Sequence, residues 1–264
     1  MSQPSDKSSR SIHQVAATGY AAGADTYAKG RPGYPAALHE WLRTTLGVGP
    51  GAAVIDLGAG TGKFTRLLVD GGADVTAVEP VAQMLSLLSQ DLPQAKAVQG
   101  TATQMPLDSA SADVVVCAQA FHWFASPEAL SEMARVLKPG GRLALVWNLR
   151  DAQVPWVARM DAIVDRHEGE VPRFYKGTWR SAFPHPAFGE LQEWQFENPS
   201  MGAPDDVIVR RVLSTSFISA LAAEERRQVE AELRELIAQE PELRGRERVS
   251  VPYLTFAFCA RKLV

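Results

Sequence analysis

Three glycines, Gly58, Gly60 and Gly62, fall within five positions, behind the apolar run Ala52-Ala53-Val54-Ile55 and the acid Asp56. Glycine reaches positive φ without steric penalty and lets a ligand approach bare backbone. The turn is therefore a candidate for holding one. A second acid, Glu79, follows 21 residues after Gly58, and a carboxylate so placed can accept from two ribose hydroxyls. A triphosphate-binding loop would read G-x-x-x-x-G-K-[ST]. Gly62-Lys63 supplies the GK pair, but Leu57 stands at the first glycine and Phe64 at the Mg²⁺-holding hydroxyl. The dinucleotide fingerprint G-x-G-x-x-G is met at Gly58 and Gly60 and fails at Lys63, where a glycine would let helix and strand pack beside a pyrophosphate. A different ligand, or a strand-to-helix turn that holds none, remains.

The surrounding pattern says what must position this turn. Residues 52–57, 74–79, 95–100, 112–119 and 142–148 read as strands, and 63–70, 81–90 and 126–137 as the helices between them. Ser126 is placed to cap the last of these, with Pro127 at its first position and KPGG ending it. A further helix is expected over 35–46, ahead of the first strand. Alternating strand and helix predicts a parallel sheet covered on both faces, and such sheets bind ligands outside the carboxyl ends of their strands. The loops after residues 57, 79, 100 and 119 are thus the expected site. Beyond Arg150 the rhythm changes. Residues 155–167 look helical, and 169–190 gather Phe174, Tyr175, Trp179, Phe183 and Phe188 among prolines, which reads as a lid, or as the core of a cap. A strand is expected over 191–198, an amphipathic helix over 222–239 with Val229, Leu233 and Ile237 inward, and a late strand over 249–262, starting near an edge because of Pro252. The expected division is a disordered polar tail over 1–18, a ligand-binding core with an N-terminal arm over 19–150, a cap over 151–190, and a C-terminal completion of the sheet over 191–264.

Composition narrows the class. The chain has 264 residues, 46% hydrophobic and 22% charged, which suits one globular domain with or without an inserted cap. A formal net charge of −3 offers no basic excess for a nucleic-acid backbone. The two cysteines, Cys117 and Cys259, sit in apolar runs and read as buried thiols of a reducing compartment. No uncharged apolar stretch of about 18 residues appears, so no membrane partner is expected. The opening MSQPSDKSSRS lacks the apolar core of a signal peptide, and a cytoplasmic location is expected.

The run Asp56-Leu57-Gly58-Ala59-Gly60-Thr61-Gly62 resembles motif I, D-x-G-x-G-x-G, of the class I S-adenosylmethionine-dependent methyltransferases. The segment ending in His122-Trp123-Phe124, together with KPGGRLAL at 138–145, is similar to the type 11 family, which includes UbiE-like enzymes. Tyr27-Ala28-Lys29-Gly30-Arg31-Pro32-Gly33-Tyr34-Pro35 resembles the Y-x-x-x-R-P-x-Y-P segment of its trans-aconitate methyltransferase-like branch. The resemblance implies a Rossmann-like α/β fold, a seven-stranded, mostly parallel sheet with helices on both faces, plus a small helical cap. It implies that S-adenosylmethionine is bound and S-adenosylhomocysteine released. Gly58, Ala59 and Gly60 would lie against the methionine part, with the positive end of the following helix nearby. Asp56 would orient the turn or accept from the ligand's ammonium. Glu79 would take the ribose hydroxyls, Pro80 would stiffen the exit, and Met84 would pack on the adenine. Thr101 and Ala102 would hold the adenine, although Thr103 and Met105 depart from the family's acid and leucine. Gln119 would lie near the methionine part. Tyr27 and Arg31, on an arm kept extended by Pro32, would meet a carboxylate of cofactor or substrate.

His122 is the candidate base, since imidazole titrates near neutrality, and lining the pocket is its alternative role. His185 is a weaker candidate. No cluster has metal-ligand spacing, so no metal is expected. The implied activity is methylation of a small molecule, with O-methylation of a carboxylate favoured. C-methylation of a quinone precursor and a binding module without turnover are the alternatives. The chain is expected as a monomer or homodimer.

Overall fold

The computed structural model describes residues 32–169 and 172–263. The expectations for the tail over 1–18 and for Tyr27 and Arg31 lie outside the described residues. Five strands run parallel: β1 (Ala53–Leu57), β2 (Asp74–Glu79), β3 (Lys96–Gln99), β4 (Ala112–Ala118) and β5 (Leu137–Arg150). With β6 (Gln192–Glu197) and β9 (Tyr253–Arg261), which pair antiparallel, they make a seven-stranded sheet in the order β3-β2-β1-β4-β5-β9-β6. The intervening helices are α2 (Lys63–Asp70), α3 (Ala82–Asp91) and α4 (Pro127–Val136), and α1 (Ala36–Trp41) precedes the sheet.

Side chains of a strand alternate between its faces, and here the alternation sorts the core into two layers. Ile55, Leu57, Val115, Cys117, Leu143, Leu145 and Trp147 pack with Leu130 and Met133 of α4. Val54, Val114, Val116, Ala144 and Val146 pack with Leu38 and Trp41 of α1, Phe64 and Leu68 of α2, and Leu88 of α3. Both faces of the central strands are thus covered, which is why residues 114–118 of β4 and 143–147 of β5 read as unbroken apolar runs. Burying each such large side chain contributes roughly 1.5–3 kcal/mol. α4 begins as expected: the Ser126 hydroxyl oxygen accepts from Ala129 N at 3.1 Å and Pro127 fills the first turn.

Three expectations differ from the structure. The helix before KPGG ends at Val136 and β5 starts at once, with Lys138–Gly141 absorbed as an irregularity where the register shifts between Ala112 and Val114. The late strand over 249–262 is two strands, because Pro252 lacks the N–H that a continuous ladder needs. β8 (Val249–Val251) pairs with β7 (Ser200–Gly202), and β9 enters the large sheet between β5 and β6, not at an edge. The cap over 151–190 is divided. The chain forms two compact units, and 172–198 belongs with the sheet, together with 34–149 and the C-terminal residues from Leu254. Of the aromatic residues expected in a lid or cap, Phe174, Trp179, Phe183 and Phe188 instead pack in the core of the sheet unit and Tyr175 is exposed: Trp179 is 1% exposed and lies against Trp147, Phe174 and Phe258, with ring centroids 4.9, 5.6 and 5.1 Å away. Aromatic side chains carry no periodicity in such a short segment, so sequence could not say which surface they cover.

The other unit holds α5 (Pro155–Asp165), α6 (Ala223–Gln239) and the antiparallel β7–β8 pair. Its core is Trp156, Met160, Val209, Val229, Leu233 and Val251. Ion pairs Arg159–Glu240 and Arg166–Glu232 join α5 to the α6 region. Among the described residues no helix is long and apolar enough to cross a membrane.

Candidate active site

The strand order reverses direction between β1 and β4, so the loops leaving their carboxyl ends diverge there and open a crevice. The glycine turn leaves β1 at this point. Gly58, Gly60 and Gly62 all have positive φ, at 74°, 57° and 86°. The three glycines answer different demands. A Cβ on Gly58 would lie 2.7 Å from the Ala120 Cβ, and one on Gly62 2.8 Å from Leu92 Cδ1, so both are fixed by close packing. A Cβ on Gly60 would meet nothing within 4 Å among the described residues. Gly60 is therefore where a ligand can come against backbone.

The turn is fastened to the neighbouring strand. Gly58 N and Ala59 N donate to Val78 O at 2.8 and 3.2 Å. Gly60 N donates to Glu79 Oε2 at 2.9 Å, and Val81 N donates to Glu79 Oε1 at 3.1 Å. Glu79 is buried and held by backbone donors from two loops. Pro80 lies between them, its carbonyl accepting from Gln99 Nε2 at 3.1 Å. Met84 is buried in the first turns of α3.

Asp56 is 1% exposed, and its Oδ2 accepts the Thr65 hydroxyl of α2 at 2.7 Å. Burial pushes its carboxyl up to about 7; the Thr65 hydrogen bond opposes that rise and the nearby Glu79 adds to it. Oδ1 has no hydrogen-bond partner among the described residues. Of the two roles expected for Asp56, this geometry is that of a brace between β1 and the first turn of α2. Sequence reading passed over Thr65, although a hydroxyl one turn past the glycines is the signal for it. Burial, with Asp56 nearby, also raises Cys117 well above the ordinary thiol range, and both cysteines are free and buried.

Thr101 follows the end of β3. Its N–H donates to Gln104 O at 3.1 Å and its carbonyl accepts from Gln104 N at 3.2 Å, closing a small turn. The hydroxyl of Thr101, not its backbone N–H, is thus the group it can offer. The Ala102 side chain belongs to the core around Ile55, Leu57 and Val78.

At the end of β4, Gln119 has φ +58°, a conformation uncommon for residues other than glycine. Its N–H donates to Val146 O at 2.7 Å and its Nε2 to Asn148 O at 3.1 Å. Asn148 Oδ1 in turn accepts the Thr255 hydroxyl at 2.6 Å. Asn148 and Thr255 fall outside the sequence expectation because it does not include the end of β5 or the start of β9. A polar residue ending the apolar run LALVW was the available signal. His122 follows, its Nδ1 accepting from Trp147 Nε1 at 3.0 Å, and its ring lies 5.2 Å from Trp123. Leaving a buried indole N–H unpaired would cost about 1–3 kcal/mol. His185 is buried away from this crevice chemistry: its Nδ1 accepts from Ala187 N at 3.3 Å and its Nε2 lies 3.3 Å from the Ser131 hydroxyl, a turn-bracing role. Among the described residues no group of three or more His, Cys, Asp or Glu side chains could hold a metal ion.

The family described as a methyltransferase domain matches residues 55–145, the span from β1 to β5. An uncharacterized methyltransferase of Mycobacterium tuberculosis is 41% identical over 231 residues, 87% of this chain and 89% of the relative. A methyltransferase-like protein of Schizosaccharomyces pombe is 36% identical over 237 residues, 89% of this chain and 92% of the relative. This chain belongs to the class I S-adenosylmethionine-dependent methyltransferases, type 11 family. A solved structure from Anaeromyxobacter dehalogenans, described as a type II methyltransferase, matches this methyltransferase with a TM-score of 0.64 and 26% identity, over 89% of this chain and 98% of that one. Shorter matches join it to a malonyl-[acyl-carrier protein] O-methyltransferase of Methylococcus capsulatus (42% identical, 36% of this chain, 37% of the relative) and a demethylmenaquinone methyltransferase of Beutenbergia cavernae (38%, 40% and 45%). The open side of Gly60 and the backbone-held Glu79 beside it fit the methyl donor this family uses.

Proposed function

We propose that this methyltransferase transfers the methyl group of S-adenosylmethionine to a carboxylate oxygen of a small acid. The observation that carries the cofactor assignment is the Glu79–Gly60 contact at 2.9 Å, which sets an acid beside the glycine of the turn whose Cβ position meets nothing within 4 Å among the described residues. Gly58, Ala59 and Gly60 would face the methionine part, near the partial positive charge at the start of α2. Glu79 would accept from the ribose hydroxyls. Pro80, Met84 and the Thr101 hydroxyl would border the adenosine, Ala102 would contribute backbone, and Gln119 would border the methionine part. Asp56 acts from behind, through Thr65. Tyr27 and Arg31 remain assigned to a carboxylate by the resemblance of their segment alone.

When bound, S-adenosylmethionine supplies an electrophilic methyl carbon on a sulfonium. The chain's contribution is placement, and well-oriented reactions reach effective molarities of about 10⁵–10⁸ M. The carboxylate is favoured by the trans-aconitate-like segment at 27–35 and by the partial likeness to an O-methyltransferase. The partial likeness to a demethylmenaquinone methyltransferase supports the second reading, methylation of a quinone precursor.

A screen of small carboxylic acids, phenols and quinols with S-adenosylmethionine, read by mass spectrometry, tests the proposal. A methyl ester is the expected product. A methylated quinol selects the second reading. S-adenosylmethionine binding with no product from any acceptor means a binding module, and NAD raising the melting temperature where S-adenosylmethionine does not would remove the cofactor assignment.

A further inference from the structure

The contact between Trp147 Nε1 and His122 Nδ1, at 3.0 Å, determines where the histidine carries its proton. An indole N–H only donates, so the ring nitrogen facing it must accept. Neutral imidazole has one donor and one acceptor nitrogen. With Nδ1 accepting, the proton sits on Nε2. Trp147 is 1% exposed, so no solvent offers its N–H another acceptor. Its ring is packed by Phe174, Trp179 and Phe258, with centroids 4.8, 4.9 and 5.7 Å away, and cannot swing aside to release Nδ1.

We propose that Trp147 is a positioning residue that holds His122 as its Nε2–H tautomer, so that this histidine is a neutral hydrogen-bond donor and not the proton acceptor of the reaction. To act as a base through Nε2, His122 would first have to move its proton to Nδ1, setting an N–H against the Trp147 N–H across the same 3.0 Å. Resting on the methyl-transfer reading above, this points to an acceptor whose attacking atom is already anionic, a carboxylate. With a carboxylate the step balances without a proton: the oxygen–carbon bond forms, the carbon–sulfur bond breaks with its electron pair left on sulfur, and the two charges cancel. A phenol or an amine would leave a proton for which this histidine has no vacant site.

The test uses the full chain labelled with ¹⁵N-histidine. Long-range ¹H–¹⁵N correlation at pH 7 reads the tautomer, and H122Q assigns the signal. A protonated Nε2 with a bare Nδ1 is expected in the wild type, and W147F should lose that bias while keeping its circular dichroism. Glutamine keeps an acceptor for Trp147 and a donor beyond it but has no basic nitrogen. H122Q should therefore lose at most about tenfold in kcat, whereas removal of a general base costs about 10²–10⁴-fold. A proton on Nδ1, or on both nitrogens, in the wild type overturns the proposal, as does a hundredfold loss in H122Q. Should W147F fail to fold, the wild-type spectrum and H122Q decide alone. If the screen finds no methylated carboxylate, the functional reading fails, while the tautomer still decides the Trp147 assignment.

Discussion

Glu79 Oε2 and the backbone N–H of Gly60 lie 2.9 Å apart, joining the end of β2 to the middle of the turn that leaves β1. The acid thus shapes the turn as well as standing beside it. Glu79→Ala leaves Gly60 N–H and Val81 N–H without their acceptor. A hydrogen bond to a charged group is worth roughly 1.5–3 kcal/mol. S-adenosylmethionine affinity should fall about ten- to a hundredfold by calorimetry. An unchanged dissociation constant would remove Glu79 from the site.

The glycines of the turn should separate in mutagenesis. Gly60→Ala places a Cβ at φ 57° where nothing among the described residues lies within 4 Å. The left-handed conformation costs about 1–2 kcal/mol for a residue with a Cβ, a small shift in melting temperature, while the methyl intrudes where the ligand would lie. Gly60→Val should abolish binding. Gly58→Ala drives a Cβ to 2.7 Å from that of Ala120, and its damage should appear first in stability. Equal losses of stability in Gly58→Ala and Gly60→Ala would contradict this division.

Asp56 predicts a pH dependence of stability. Its carboxyl stands at about 7 in the folded chain against an ordinary 3.8, chiefly from burial. The folded state therefore holds this proton where the unfolded state has released it. The stability that goes with protonation is full below pH 3.8 and is lost as pH rises through about 7. The loss is on the order of 4 kcal/mol across that window. Asp56→Asn, which keeps an acceptor for Thr65 and carries no charge, should lack it. Urea denaturation at pH 8 should find the variant more stable than the wild type, and at pH 4 nearly equal. A wild type more stable than the variant at pH 8 would refute the buried-charge argument.

Trp179 distinguishes a core from a lid. Filling the space between Trp147, Phe174 and Phe258, it should cost roughly 3–5 kcal/mol on truncation to alanine, measured by chemical denaturation. A lid residue would instead spare stability and impair turnover.

Much of the fold was legible because its signals are local. The runs around Val54, Val115 and Leu145 are apolar on both faces, and Ser126-Pro127 marks a helix start whatever surrounds it. The glycine turn and Glu79 were legible because spacing alone ties one strand end to the next. What escaped depends on partners distant in sequence. Thr255 meets Asn148 across 107 positions, and Trp147 meets His122 across 25. Trp179 looked like a lid residue because nothing in its own neighbourhood names the sheet face it covers. Pro252 signals a strand start near an edge, whereas in the structure it separates β8 from β9. That the chain resumes in a different sheet on its far side is set by where β5 and β6 leave a gap.

That gap carries a cost during synthesis. β6 emerges some fifty residues before β9, the strand lying between it and β5. Until β9 leaves the ribosome, β5 is a bare border and β6 has nothing to lie beside, which is the condition that invites mispairing between nascent chains. A stop codon before Tyr253 would therefore remove one strand and strand another, and the fragment should be recovered in inclusion bodies.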